Sequence, residues 1–167
     1  MDEKLDGFAV MRRNGEIFTV AVDPEDYARV ESAGPWYVSS LHRIFYAQRG
    51  VRTSTGKHTT EYLHHFILGV KGLDHIDGNG LNNCKANLRR ATQSENMQNR
   101  HGLGRKNTSG FRGVSFNKQL RKWQANIKLD GRNRYLGLFA TAAEASAAAS
   151  RARAAMMPFS VDARDIE

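Results

Sequence analysis

The chain has 167 residues, with 25 Lys plus Arg against 17 Asp plus Glu for a formal charge of +8, and only 9% of its residues are aromatic. That length holds one domain or two small ones and excludes a large single core, and no run approaches the ~18 apolar residues of a membrane span. The acidic residues 1–6 lack the apolar stretch of a secretory signal, and the lone Cys84 cannot close an internal disulfide, which fits a reducing compartment.

Residues 8–11 and 17–22 are short apolar strands on either side of Asn14-Gly15, a two-residue hairpin signal. Asp23 stands as an N-cap, with Pro24 at the first helical position and Glu25 and Asp26 in the first turn. The short helix stops at Gly34-Pro35. Residues 36–38 and 41–46 read as two more strands, and residues 50–57 as a polar loop.

The middle of the chain, residues 62–99, is dense in His, Asp and Asn. A strand carrying Asp74 and His75 runs into the turn residues Gly78-Asn79-Gly80, and a second strand resumes at Asn87-Leu88-Arg89. Thr92-Gln93-Ser94-Glu95 is a capping-box pattern that places Asn96 in the first turn of a helix. The Asp74 carboxylate and the Asn96 carboxamide oxygen are the hard ligands magnesium prefers, and His75 can take a proton from an attacking water. Adjacent strand residues point to opposite faces, so one site for Asp74 and His75 needs a local twist. A zinc site from His64, His65, His75 and Cys84 is the weaker reading, because no Cys-x-x-Cys or helical His-x-x-x-His spacing is present. Packing or a phosphate contact accounts for His64 and His65, and Cys84 reads as a small loop residue.

Between Arg100 and Arg134 stand ten Lys or Arg and one acid, Asp130, so that all the excess charge lies in thirty-five residues. Such a concentration is a footprint for a polyanion, nucleic acid first. Its first part, to Ser109, has no apolar periodicity and reads as a basic linker. Residues 111–116, 122–129 and 134–139 then form three strands, the last two joined across Asp130-Gly131. Thr141 to Glu144 is a capping box opening an alanine-rich helix that ends before Pro158. Trp123, Ala125, Ile127 and Leu129 alternate with Lys122, Gln124, Asn126 and Lys128, so an apolar face packs on the helix and a polar face stays uncovered.

Residues 63–67, the run Asp74-His75-Ile76-Asp77-Gly78-Asn79, then Asn87-Leu88-Arg89 and residues 92–99 resemble the HNH endonucleases of phages and mobile introns. Residues 107–114, Lys122-Trp123 and Tyr135-Leu136-Gly137 resemble the APETALA-2/ERF-type DNA-binding domain. The resemblance implies an α+β protein: a ββα-metal (His-Me finger) nuclease domain preceded by β-strands and followed by a three-stranded sheet with one helix. The implied divisions are residues 1–58 (N-terminal strands), 59–100 (nuclease), 101–109 (linker), 110–158 (DNA binding) and 159–167 (tail).

By motif, His75 is implied as general base, Asn87 as the residue that orients it or holds the loop, and Asp74 with Asn96 as ligands of a divalent metal, Mg²⁺ or else Mn²⁺. Arg112, Lys122, Lys128 and Tyr135 fall at DNA-reading positions. The chain departs from the family at His65, where Arg is usual, at Ser115, Asn117 and Asn133, and at Ala148-Ala149-Ser150. The implied function is a site-specific endonuclease acting on double-stranded DNA in a bacterial or phage-infected cytoplasm, as a monomer or a dimer. A DNA-binding regulator, or a degenerate nuclease that no longer cuts, is the alternative.

Overall fold

In the computed structural model, residues 7–41, 44–100, 102–104 and 106–163 are described. The acidic residues 1–6, His42 and Arg43 of an expected strand, His101 and Arg105 of the basic stretch and residues 164–167 of the tail lie outside them. The described residues are α+β, built from small antiparallel sheets and four α-helices, and contacts divide the chain into two units, Met1–Thr92 and Gln93–Glu167.

In the first unit β1 (Gly7–Met11) pairs with β2 (Ile17–Ala21). Their loop is one residue longer than the Asn-Gly signal predicts. Gly15 N–H reaches Arg12 O at 2.9 Å and Arg12 N–H reaches Glu16 O at 2.7 Å, so residues 13–15 form the turn. Gly15 takes the left-handed position, φ +88°, that a type I turn with a bulge requires. Helix α1 (Pro24–Ala33) follows with Pro24 in its first turn, but the Asp23 side chain does not cap it. Asp23 Oδ2 instead accepts the backbone N–H of Lys85 at 2.7 Å.

Three strands then form one sheet in the order β3 (Tyr37–Leu41), β4 (Ile44–Arg52), β5 (His58–Tyr62). The expected loop at 50–57 shrinks to 53–57, because β4 runs through Gly50 and pairs with the exposed, polar Thr59 and Thr60 of edge strand β5. An edge strand tolerates such residues because only one side of it is covered. A boundary at residues 58 and 59 therefore falls inside this sheet.

Helix α2 (Leu63–Leu68) ends at Gly69 in the left-handed conformation. After it β6 (Leu73–His75) pairs with β7 (Leu88–Arg90). The core is small and β-branched, with Val10, Val20, Val22, Val30, Val38 and Ala47 packed against Leu63 and Ile67 of α2. Each fully buried valine or leucine contributes roughly 1.5–3 kcal/mol.

The second unit opens with α3 (Gln93–Gln98). Its sheet has the order β10 (Arg132–Phe139), β9 (Lys122–Leu129), β8 (Val114–Asn117), and α4 (Ala142–Met156) packs on one face. The capping box at Thr141 and Glu144 is made on both sides. Ala125 on β9 and Ala145 and Ala149 on α4 are fully buried. Side chains that small let helix and sheet approach closely.

The first strand of this sheet starts three residues later than its apolar pattern predicts. The residues before it are a turn, where Asn107 Oδ1 accepts from Gly110 N–H at 2.8 Å and Ser109 Oγ–H donates to Val114 O at 2.8 Å. Part of the expected linker is thus ordered by its own hydrogen bonds.

The buried stripe of α4 ends on Arg153, which donates to Asp162 Oδ2 at 2.6 Å and Oδ1 at 3.0 Å and to the Arg112 carbonyl at 3.1 Å. Burial alone would raise the Asp162 carboxyl, but hydrogen bonds from Arg153, Ser160 and Ser150 outweigh it and hold the group well below the usual carboxylate range. The folded state therefore binds this proton less tightly than the unfolded chain, and the pair's contribution is lost as pH falls below about 4. Asp162→Asn is expected to lower stability by about 3 kcal/mol at pH 7, because it leaves a buried guanidinium unpaired. In urea melts the gap between variant and wild type should narrow as pH drops from about 4 toward 2.

Candidate active site

All three residues of β6 are buried, and the register sets Asp74 opposite Arg89 and His75 opposite Leu88. Asp74 and His75 are neighbours on this strand, and the Asp74 carboxylate is near enough for its charge to act on the His75 imidazole. The Asp74 carboxylate is held by Arg89, whose Nε and Nη2 donate to Oδ2 at 3.2 and 3.0 Å. His75 Nε2 lies 3.4 Å from Asn83 Oδ1. A carboxamide oxygen can only accept, so with the Asn83 amide in this orientation the hydrogen is on Nε2 and the lone pair on Nδ1.

Asn83 is the residue that motif spacing missed, since in Asn82-Asn83 both side chains look like turn formers. The role of holding the loop falls to Asn87. Its Oδ1 accepts from Asp77 N–H at 3.0 Å, and its Nδ2 donates to Asp77 Oδ1 at 2.9 Å and to Asn82 O at 2.8 Å. Asp77 also accepts from Asn79 N–H and from Asn82 Nδ2, each at 2.8 Å. One carboxylate thereby shapes the whole turn between β6 and β7.

That turn is seated on the N-terminal strands. Ala21 N–H donates to Leu81 O at 2.9 Å, and Asn83 N–H donates to Ala21 O at 2.8 Å. Gly80 lies against β4, where a Cβ would collide with the Phe45 carbonyl and come within 2.6 Å of the Tyr46 ring. The Tyr46 ring is itself 5.8 Å from that of His75.

Around His75 the surroundings are aromatic. His64 is buried, with its ring centroid 4.8 Å from His75 and 4.2 Å from His65, and it stacks on Tyr62 at 5.5 Å. Burial, reinforced by the charges of His75 and His65, pushes the His64 imidazole down to about 3. Burial likewise lowers His75, although the Asn83 contact and the carboxylates of Asp77 and Asp74 work against it. Burial, helped by Lys71, lowers His65. The cluster is therefore a set of neutral imidazoles at physiological pH, able to accept a proton but not to carry one at rest. His64 Nδ1 and Asn83 Nδ2 are buried polar atoms with no hydrogen-bond partner among the described residues.

Asp74, His75 and Asn87 thus meet in one strand–turn–strand element of the first unit, while Asn96 stands on α3 in the second. A buried carboxylate such as that of Asp74 fits a hard divalent cation in kind, since such an ion keeps most of its coordination for water and phosphate. The zinc set is not assembled: among the described residues no three His, Cys, Asp or Glu side chains are placed to hold a metal. Burial and the nearby Asp23 carboxylate raise the Cys84 thiol, which leaves it an inert loop residue.

Of the positions that the resemblance assigns to DNA reading, Lys122, Lys128 and Tyr135 are exposed, and Tyr135 pairs with Asn126 of the uncovered face. Arg112 is turned elsewhere. Its guanidinium donates to the carbonyls of Arg100 at 2.9 Å, Gln98 at 3.0 Å and Met97 at 3.4 Å, closing the end of α3.

Gly80→Ala is expected to cost about 1–3 kcal/mol, because the obstacle is backbone that cannot give way, and a thermal melt reads it directly. For the histidines the sign follows from lowered folded-state values: stability is full above about pH 6.5 and declines as the solution is acidified, because the unfolded chain takes up the protons. His64→Phe should flatten the slope of stability against pH between about 6.5 and 4 in urea titrations; an unchanged slope would remove His64 as its source.

The chain is similar to Protein 3.8 of Escherichia phage T7, with 40% identity over 60 residues, which are 36% of this chain and 49% of that protein. The match spans about half the length of that relative. No family model matches the chain, and no solved structure matches it. No helix among the described residues is long and apolar enough to cross a membrane.

Proposed function

We propose that the chain is a metal-dependent DNA endonuclease of the HNH, ββα-metal kind, hydrolysing phosphodiester bonds in the first unit and gripping duplex DNA with the sheet of the second. The observation that carries this reading is His75, a buried neutral imidazole whose Nε2 is occupied by Asn83, so that its basic lone pair lies on Nδ1. In this reading Nδ1 takes a proton from water, the resulting hydroxide attacks phosphorus, and the bond to the 3′ oxygen breaks. Asp74 would hold the metal, which when bound neutralises charge on the phosphate and the departing oxygen. Asn87 keeps the turn that presents His75, and the neutral ring of His64 keeps its surroundings free of charge. A relative from a phage accords with a phage or phage-infected cytoplasm as the setting, although its name states no activity.

The second reading, a DNA-binding regulator that does not cut, is favoured by the ion pair of Asp74 with Arg89, which places a guanidinium on the carboxylate assigned to the metal. Supercoiled plasmid with Mg²⁺, with and without EDTA, separates the two. Wild type is expected to nick or linearise it only with metal. His75→Ala should lose at least a hundredfold in rate while holding DNA as before. Binding with no cleavage of any duplex, the flanking genomic DNA included, would leave the regulator. Lys128→Ala should reduce the slope of log affinity against log salt by about one without altering metal affinity.

A further inference from the structure

The uncovered face of the second unit's sheet is rich in carboxamides. Alternation along β9 puts Lys122, Gln124, Asn126 and Lys128 on it, and the register adds Asn133, opposite Lys128, and Tyr135, opposite Asn126. The two arginines of β10 are not part of it, since Arg132 pairs with Leu129 and Arg134 with Ile127, on the side facing α4. At its centre Gln124 Nε2 donates to Asn126 Oδ1 at 3.3 Å. With that bond made, the pair still offers one carboxamide oxygen as acceptor and the N–H groups of the other amide as donors. Turning both amides over exchanges the residues but leaves the same inventory.

The four bases differ in what they show in the major groove. Guanine presents two acceptors and calls for two donors, as an arginine or lysine supplies. Cytosine shows a single donor, while adenine shows an acceptor and a donor side by side, matched by one donor and one acceptor from a carboxamide. Thymine, adenine's partner, adds a methyl group that takes an apolar contact. Tyr135 is 59% exposed and directly across the ladder from Asn126, which provides an aromatic surface beside the amides. Lys122 and Lys128, at the two ends of β9, suit phosphates.

We propose that this face selects A·T base pairs in the major groove, with Gln124 and Asn126 on adenine and Tyr135 on the thymine methyl. The inference rests on the DNA-holding role proposed above and adds to it which bases are preferred.

The test is selection from a pool of random duplexes by the full chain, in EDTA so that only binding is scored. A·T pairs should dominate the centre of the selected sites. The double variant Gln124→Met, Asn126→Leu keeps side-chain size, and should retain the pool with an unchanged salt slope while discriminating A·T from G·C about tenfold less. Replacing thymine by deoxyuridine in a selected site should weaken wild type several-fold, and Tyr135→Ala should show no such difference. Circular dichroism on each variant confirms that the sheet is intact. Selected sites that are G·C-rich or without base preference overturn the inference and leave DNA binding standing. Retention of no duplex at all overturns the DNA-binding role itself, and the inference with it.

Discussion

The candidate site depends on a pair of main-chain hydrogen bonds, Ala21 to Leu81 and Asn83 to Ala21, that tie the β6–β7 turn to the end of β2. Every side chain assigned to the chemistry of the first unit hangs on that turn or on the strands it joins. Asn83 reaches His75 because its own backbone is fixed on Ala21, and Gly80 lets the turn lie flat on β4 beside Tyr46. Lys85 adds a third tie through Asp23, and its Nζ pairs with Asp26 of α1 at 2.8 Å. The N-terminal strands are thus the bench on which the turn is set.

Around that turn the protein separates charge from neutrality. The Asp74 carboxylate is paired with the Arg89 guanidinium, while around His75 stand imidazoles kept neutral by burial and two tyrosine rings. From Asp74 to the next residue, His75, the surroundings change from an ion pair to a cluster of aromatic rings. The same desolvation that lowers the imidazoles raises the Tyr46 hydroxyl, with Asp74 and Tyr62 adding to it, so this ring too stays uncharged.

The second unit is largely legible along the chain because its rules are local. The alternation in β9, the capping box at Thr141 and the spacing of alanines on α4 each act within a few residues, and each appears as the pattern predicts. The first unit is less legible because its decisive contacts span long stretches of sequence. Asp23 reads as a helix cap, yet its partner is Lys85, sixty-two residues away. Gly50 reads as the start of a loop, yet pairing with Thr60 keeps it in a strand. Asn82, Asn83 and Asn87 are chemically alike, and only the path of the turn decides which one meets the histidine. Ties made by backbone atoms, as at Ala21, leave no mark in residue type at all.

Arg112 shows that charge and contact are separate quantities on a basic surface. With its donors given to three carbonyls at the end of α3, this guanidinium still adds its positive charge to the field that an approaching polyanion would meet. It has little hydrogen-bonding capacity left with which to hold one. Approach from a distance is governed by every cation in the segment, whereas residence on a duplex is governed by the smaller number whose heads remain directed outward. A count of arginines and lysines therefore measures how strongly such a protein attracts its partner and overstates how many places it touches it.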